Sequence, residues 1–177
     1  MHPQAFAVQF RSLDLLTHQL GTSLFLPVDR GKAFSFFEDP RNLFEITPDW
    51  LDFRMLDPGR SEVYEGAEFD YAIKWLGIPF RWKSRIIHYH PPVTFTDMQV
   101  AGPYRSWEHL HVFEETDGGT LMKDTVIYTL PLVAIIIHRF VIMKQLREIF
   151  LYRASRIDEW ARDATPVSRG GHAYPGS

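Results

Sequence analysis

Pro131–Trp160 reads PLVAIIIHRFVIMKQLREIFLYRASRIDEW, the longest run in the chain without a glycine or an internal proline. Apolar residues recur at Ile135, Ile142, Leu146, Ile149, Phe150, Ile157 and Trp160, at helical steps of three, four and seven. Lys144, Arg147, Glu148, Arg153, Arg156, Asp158 and Glu159 supply a polar face. An amphipathic helix of this kind is stabilised only when its apolar stripe meets a partner surface. The fold is decided by what the preceding residues offer as that surface.

They offer strands. Thr22–Val28, or a stretch that starts a few residues before it, reads as a first strand, and Pro27 marks it as an edge strand or as ending there. Asp29 suits the N-cap of a short helix through Ala33, Phe34 and Phe37. A second short helix is expected between Pro40 and Pro48. From Trp50 the period changes to two. Leu51, Phe53 and Met55 alternate with Asp52 and Arg54, and the turn Asp57-Pro58-Gly59 follows. Phe69, Tyr71, Ile73 and Trp75 alternate with polar neighbours, as do Phe80, Trp82, Ser84 and Ile86 across a tight connection at Gly77. Further strands are expected at Phe95–Val100, Trp107–Phe113 and Leu121–Leu130, the last two joined by Asp117-Gly118-Gly119. A run of strands followed by one long helix predicts an α+β fold with an antiparallel sheet of about seven strands. Residues 1–17 read as a weakly patterned lead-in, 18–163 as one domain and 164–177 as a disordered Gly/Pro/Ser-rich tail.

Composition narrows the function classes. The 177 residues carry a net charge of -3, which gives no general drive toward nucleic acid or anionic membranes. Cysteine is absent, which excludes disulfides, thiolate metal sites and cysteine nucleophiles and fits a cytoplasmic location. The N-terminus has no basic region followed by an apolar core, so no secretory signal is expected. Leu130–Met143 is too short, and too interrupted by His138 and Arg139, to span a bilayer. No Gly-x-Ser-x-Gly, phosphate loop or dinucleotide fingerprint is present. Aromatic residues reach 15%, enough to line a pocket as well as fill a core.

Four segments carry a family resemblance: FEDPRNLFEITPDWL (Phe37–Leu51), IPFRWKSRI (Ile78–Ile86), PPVTFTDMQVAGPYRSWEHLHVFEE (Pro91–Glu115) and GGTLMKDTVIYTLP (Gly118–Pro131). With the element order, they make Leu20–Trp160 resemble the START-like (SRPBCC) superfamily of polyketide cyclase/dehydrase-like and lipid-transfer proteins, in particular its bacterial uncharacterised members. The resemblance implies a helix-grip fold, a curved sheet wrapped around the C-terminal helix with an elongated apolar cavity between them. It implies no metal, and it does not choose among carriers, receptors and enzymes.

Several constellations could carry chemistry. Trp107, His109, His111 and Phe113 share one face of a strand. Two histidines at i and i+2 can chelate a metal, with Asp97, Asp124, His88 or His90 as further donors, but they serve equally as hydrogen-bonded cavity residues, and no metal or cofactor is assigned. Asp97 and Gln99 face inward if Phe95 does, whereas Thr94, Thr96, Met98 and Val100 make an equally good inner face. Asp124 faces inward with Met122, Val126 and Tyr128 and would then need a partner such as His109 or His111. Arg105, after the Gly102-Pro103-Tyr104 turn, reads as a solvated rim residue. The cations of the long helix, His138, Arg139, Lys144, Arg147, Arg153 and Arg156, read as a solvated face balanced by Glu148, Asp158 and Glu159; contact with anionic lipid is the other reading.

The resulting expectation is a binder of a small hydrophobic or lipid-like molecule, monomeric or weakly dimeric, without nucleic-acid partners or stable membrane insertion. Its ligand-binding residues are expected to be Phe69, Tyr71, Ile73, Trp75, Phe80, Trp82, Trp107, His109, His111, Phe113, Tyr128, Leu146 and Phe150. The alternative is a cyclase, dehydratase or hydrolase acting on a polyketide-like or aromatic substrate, with His109, His111, Asp97 and Asp124 as candidate acid–base groups.

Overall fold

The computed structural model describes residues 6–59, 61–75 and 77–164. Its eight strands form one antiparallel sheet in the order β1-β2-β8-β7-β6-β5-β4-β3. They are β1 (Gln9–Ser12), β2 (Thr17–Leu26), β3 (Arg54–Met55), β4 (Glu68–Trp75), β5 (Ile78–His90), β6 (Thr94–Ala101), β7 (Ser106–Thr116) and β8 (Gly119–Thr129). Helix α1 (Arg30–Glu38) follows β2, and a long helical segment, 132–164, is the last element among the described residues. Neighbours in sequence are neighbours in the sheet except at β2, which pairs with β8 and so brings the two ends of the strand run together.

Alternation produces the buried face. In β8, Met122, Asp124, Val126 and Tyr128 are buried; in β7, Trp107, His109, His111 and Phe113 are. The helices cover this face in two apolar groups. Leu26, Phe34, Phe95, Phe113, Met122 and Ile157 belong to one, and Leu20, Trp107, Val126, Tyr128, Ile142, Leu146 and Phe150 to the other. Asp29 caps α1, its Oδ1 accepting from Lys32 N at 2.8 Å, and Phe34 sets its ring edge-on against Phe95 and Phe113.

Three local expectations are corrected. The sheet has eight strands, not about seven, because residues 9–12 of the expected lead-in pair with β2. This short strand is mostly exposed and follows the edge of β2, so no alternation announces it. The first long strand takes the earlier of its two expected starts, at Thr17, with His18 and Leu20 already buried. The segment from Pro40 to Pro48 is a chain of i+3 turns, such as Asn42 N to Asp39 O at 3.0 Å, followed by a 3₁₀ turn at Asp49–Leu51. Two prolines bracket too few residues to offset the cost of helix nucleation. The alternation at Leu51–Met55 yields only the two-residue β3, because Asp52 adopts a left-handed conformation (φ 43°).

The C-terminal segment is also less regular than its pattern. It opens with a 3₁₀ turn (Leu132–Ala134) and one α turn, α2 (Ile135–Ile137). A π-helical stretch (His138–Ile142) leads into α3 (Met143–Ala164). Ala134, His138, Ile142, Leu146, Phe150 and Ala154 are buried at a strict spacing of four. A regular α-helix rotates that stripe steadily around its surface, and the wider π turn offsets part of the drift. None of the helices among the described residues is long and apolar enough to cross a membrane. The expected tail beyond Ala164 lies outside the described residues.

Candidate functional site

The site is a consequence of register. β7 carries His109 and His111 on the covered face. Across one edge of β7, Asp97 of β6 is the partner of His109. Across the other, Asp124 of β8 is the partner of His111, and Thr22 of β2 lies beside Asp124. Opposed residues in a pleated sheet point to the same side. Four ionisable side chains from three strands therefore meet at the middle of the sheet.

The two imidazoles lie side by side, 3.9 Å between centroids, and each spans from Asp124 to Asp97. His109 Nε2 lies 3.1 Å from Asp124 Oδ1 in a hydrogen bond. His111 Nδ1 lies 2.8 Å from the same oxygen, off hydrogen-bond angle. Their other nitrogens face Asp97 Oδ2, His109 Nδ1 at 3.9 Å and His111 Nε2 at 3.7 Å. Thr22 Oγ1 donates to Asp124 Oδ2 at 3.1 Å. Burial alone would raise the Asp124 carboxyl, but the two imidazoles outweigh it and hold the group well below the usual carboxylate range. Burial pushes His109 down, helped by the adjacent His111. Burial also acts downward on His111, yet Asp124 and Asp97 outweigh it and the net direction is up. An ionised Asp124 thus sits behind a histidine pair in which His111 is the more basic member.

The pair opens onto a cavity of about 210 Å³ between the sheet and α3. Of the residues expected to bind ligand, Phe69, Tyr71, Ile73, Trp75, Trp82, Trp107, His109, His111, Leu146 and Phe150 line it. Phe80, Phe113 and Tyr128 do not. Phe113 and Tyr128 are wholly enclosed in the core, where Tyr128 Oη meets His138 Nε2 at 2.9 Å. Phe80 faces the Trp75 ring edge-on from the next strand. Asp97 lines the cavity and Asp124 lies behind the histidines, so both candidate carboxylates join the cluster. β6 turns Phe95, Asp97 and Gln99 inward, and Gln99 Nε2 is engaged by Tyr104 O at 2.7 Å, which anchors the turn. His88 and His90 are exposed at the end of β5, away from the cluster, and Arg105 is exposed.

Sequence reasoning missed part of the lining. Phe37, Leu43 and Leu51 come from α1 and the turns after it, and Phe53 from the residues before β3. The larger omission is Arg153. It reads as part of a solvated face, but it lines the cavity, its Cζ 5.4 Å from the Phe150 ring and its buried Nε without a hydrogen-bond partner. Burial pushes its pKa down, and the charges of Asp124 and Asp97 draw it back up. His138 also leaves the expected solvated face and is buried. One signal was available for Arg153: it follows Leu146, Ile149 and Phe150 at helical steps.

A ring nitrogen of each histidine and a carboxylate oxygen of Asp97 lie within 4.8 Å of one another, close enough to share a metal ion.

No protein-family model matches the chain, and no curated protein sequence matches it. Solved structures do. Protein Ms6760 from Mycobacterium smegmatis aligns with a TM-score of 0.63 at 18% identity, over 90% of this chain and 98% of that one. TTHA0849 from Thermus thermophilus aligns with a TM-score of 0.66 at 13% identity, over 83% and 99%. The di-domain ARO/CYC StfQ from the steffimycin biosynthetic pathway aligns with a TM-score of 0.65 at 14% identity, over 85% of this chain and 52% of that one. At these identities the likeness shows the fold alone, and the fold is START-like, with the sheet and C-terminal helix expected from the sequence.

Proposed function

We propose that this START-like chain binds a small, largely apolar molecule in the cavity between sheet and C-terminal helix, with the oxygen-bearing end of the ligand at His109, His111, Asp97 and Arg153. The observation that carries this reading is the division of the lining. Aromatic and aliphatic side chains from β4, β5, β6, β7 and α3 make up most of the lining, and Asp97, His109 and His111 form one compact ionisable cluster on it, their ligand atoms within 4.8 Å of one another. A volume of about 210 Å³ suits a compact ring system better than a long acyl chain.

A second reading, acid–base chemistry on an aromatic or polyketide-like substrate, is favoured by one observation: two imidazoles and a carboxylate border the same space, and Asp124 orients one ring by a hydrogen bond. One experiment addresses both. Native mass spectrometry of the purified chain, with solvent extraction, is expected to yield an apolar molecule. Titration with anilinonaphthalene sulfonate is expected to give saturable fluorescence at one site, excited through Trp75, Trp82 and Trp107. A bare chain mass together with no saturable probe binding would sink the binding reading. If the recovered molecule is altered in mass when it comes from a His111→Gln variant, the catalytic reading is favoured over simple carriage.

A further inference from the structure

We propose that Asp97, His109 and His111 are the protein ligands of a divalent first-row transition-metal ion held at the polar end of the cavity. The starting point is the direction of the lone pairs. His109 turns Nε2 to Asp124, in a 3.1 Å hydrogen bond, and Nδ1 to Asp97, so with the proton on Nε2 the lone pair of Nδ1 faces Asp97. With its Nδ1 2.8 Å from the same carboxylate, His111 presents Nε2 to Asp97 in the same sense. In that tautomer of both rings two imidazole nitrogens and a carboxylate oxygen converge, Asp97 Oδ2 lying 3.7 Å from His111 Nε2 and 3.9 Å from His109 Nδ1. A metal cation in the space these three atoms share would be attracted to all of them at once.

The spacing suits an ion. Ligand bonds of about 2.0–2.1 Å in a tetrahedral site put ligand atoms about 3.3 Å apart, so small side-chain rotations close the set. The donor type selects the ion. Two imidazoles with one carboxylate suit zinc, cobalt or iron(II) and disfavour magnesium and calcium, which take oxygen ligands. Three protein ligands also leave coordination positions open toward the cavity.

The surroundings have the form of a second layer. Metal-bound histidines characteristically donate their other ring N–H to a carboxylate, and Asp124 is placed to serve both rings while Thr22 holds its second oxygen. Arg153 is the cation lining the same cavity. With neutral imidazoles, Asp97 and Asp124 balance a divalent ion and Arg153 leaves one positive charge, so the open positions favour an anionic oxygen such as a carboxylate, phenolate or enolate. The metal site is separable from the binding reading, because the ion alone is the probe.

The test is a titration of full-length, tag-free, chelator-treated protein with Co2+. The expected result is saturation at a single equivalent, with visible d–d absorption of a nitrogen/oxygen site that Zn2+ abolishes. Asp97→Asn, at a partly exposed cavity position, is expected to weaken binding at least about tenfold while circular dichroism stays native. Asp124→Asn is expected to weaken it about 10–100-fold, as loss of a supporting carboxylate does. A His88→Gln/His90→Gln double variant, at the exposed histidines, is expected to bind as the parent chain does. Absence of a saturable visible band overturns the proposal. So does a band unchanged in Asp97→Asn, or one lost in the His88/His90 variant.

Discussion

A group of buried residues outside the cavity gives the chain a pH dependence of its own. His138 stacks on His18 with ring centroids 3.9 Å apart and shares a 2.9 Å hydrogen bond with Tyr128 Oη, while Ser12 Oγ meets His18 Nδ1 at 3.1 Å. Burial, and secondarily the neighbouring His18, brings His138 down to about 4. Burial lowers His18 as well, opposed by Asp14. The unfolded chain takes up these protons near pH 6.5, and the folded chain resists until lower pH. The stability contributed by neutral His138 is therefore complete above about pH 6.5 and is lost as pH falls toward about 4. Thermal melts are expected to show a lower Tm at pH 5 than at pH 7.5, and the difference is expected to shrink in a His138→Gln variant. A Tm difference the same in variant and parent would remove His138 as its source. Sequence spacing put His138 among surface cations. Its actual position depends on His18 and Tyr128, which come from two neighbouring strands.

At the scale of the element, the C-terminal helical segment divides sharply into two faces. Ile142 is fully enclosed, whereas Ile136 and Phe140 are 84% and 76% exposed. Ile142→Ala is expected to cost about 2–5 kcal/mol, the range for a truncated buried aliphatic side chain. Ile136→Ser is expected to stay within about 0.5 kcal/mol. Chemical denaturation of the two variants checks the contrast, and comparable losses would mean that the exposed face packs against something. The seven-residue steps from Ile135 to Ile142 and from Phe150 to Ile157 were legible in the sequence as a helix. The π-helical turn at His138–Ile142 was not, because apolar spacing alone leaves the choice of i+4 or i+5 hydrogen bonds open. Arg153 was hidden for a related reason. A long cationic side chain reads as surface unless the cavity beneath it is known.

For the whole molecule, the two apolar groups under the helices are not independent. Trp82 packs against both, and α3 contributes Ile157 to one and Leu146 and Phe150 to the other. The sheet runs without a break from β1 to β3. One cooperative unfolding transition is expected, with tryptophan emission and far-ultraviolet ellipticity following the same denaturant curve. Separated curves would mean that the two groups fold as distinct units.

The division between sequence and structure follows the range of the interactions involved. Strands β4, β5, β7 and β8, the cap at Asp29, the hairpin at Gly118 and the long C-terminal helix were determined by the sequence alone. Alternation, capping and turn chemistry act over a few residues and leave a local trace. The face of β6 was undecided by its pattern, since Phe95 and Thr96 are both buried, and pairing with β7 chose it. The contact between Thr22 and Asp124 joins residues 102 positions apart and exists only because β2 lies beside β8. The inward turn of Arg153, the exclusion of Phe113 and Tyr128 from the cavity, and the meeting of Asp97 with His109 and His111 were likewise decided by tertiary structure. Each depends on the register and layering of distant segments, and no local pattern records them.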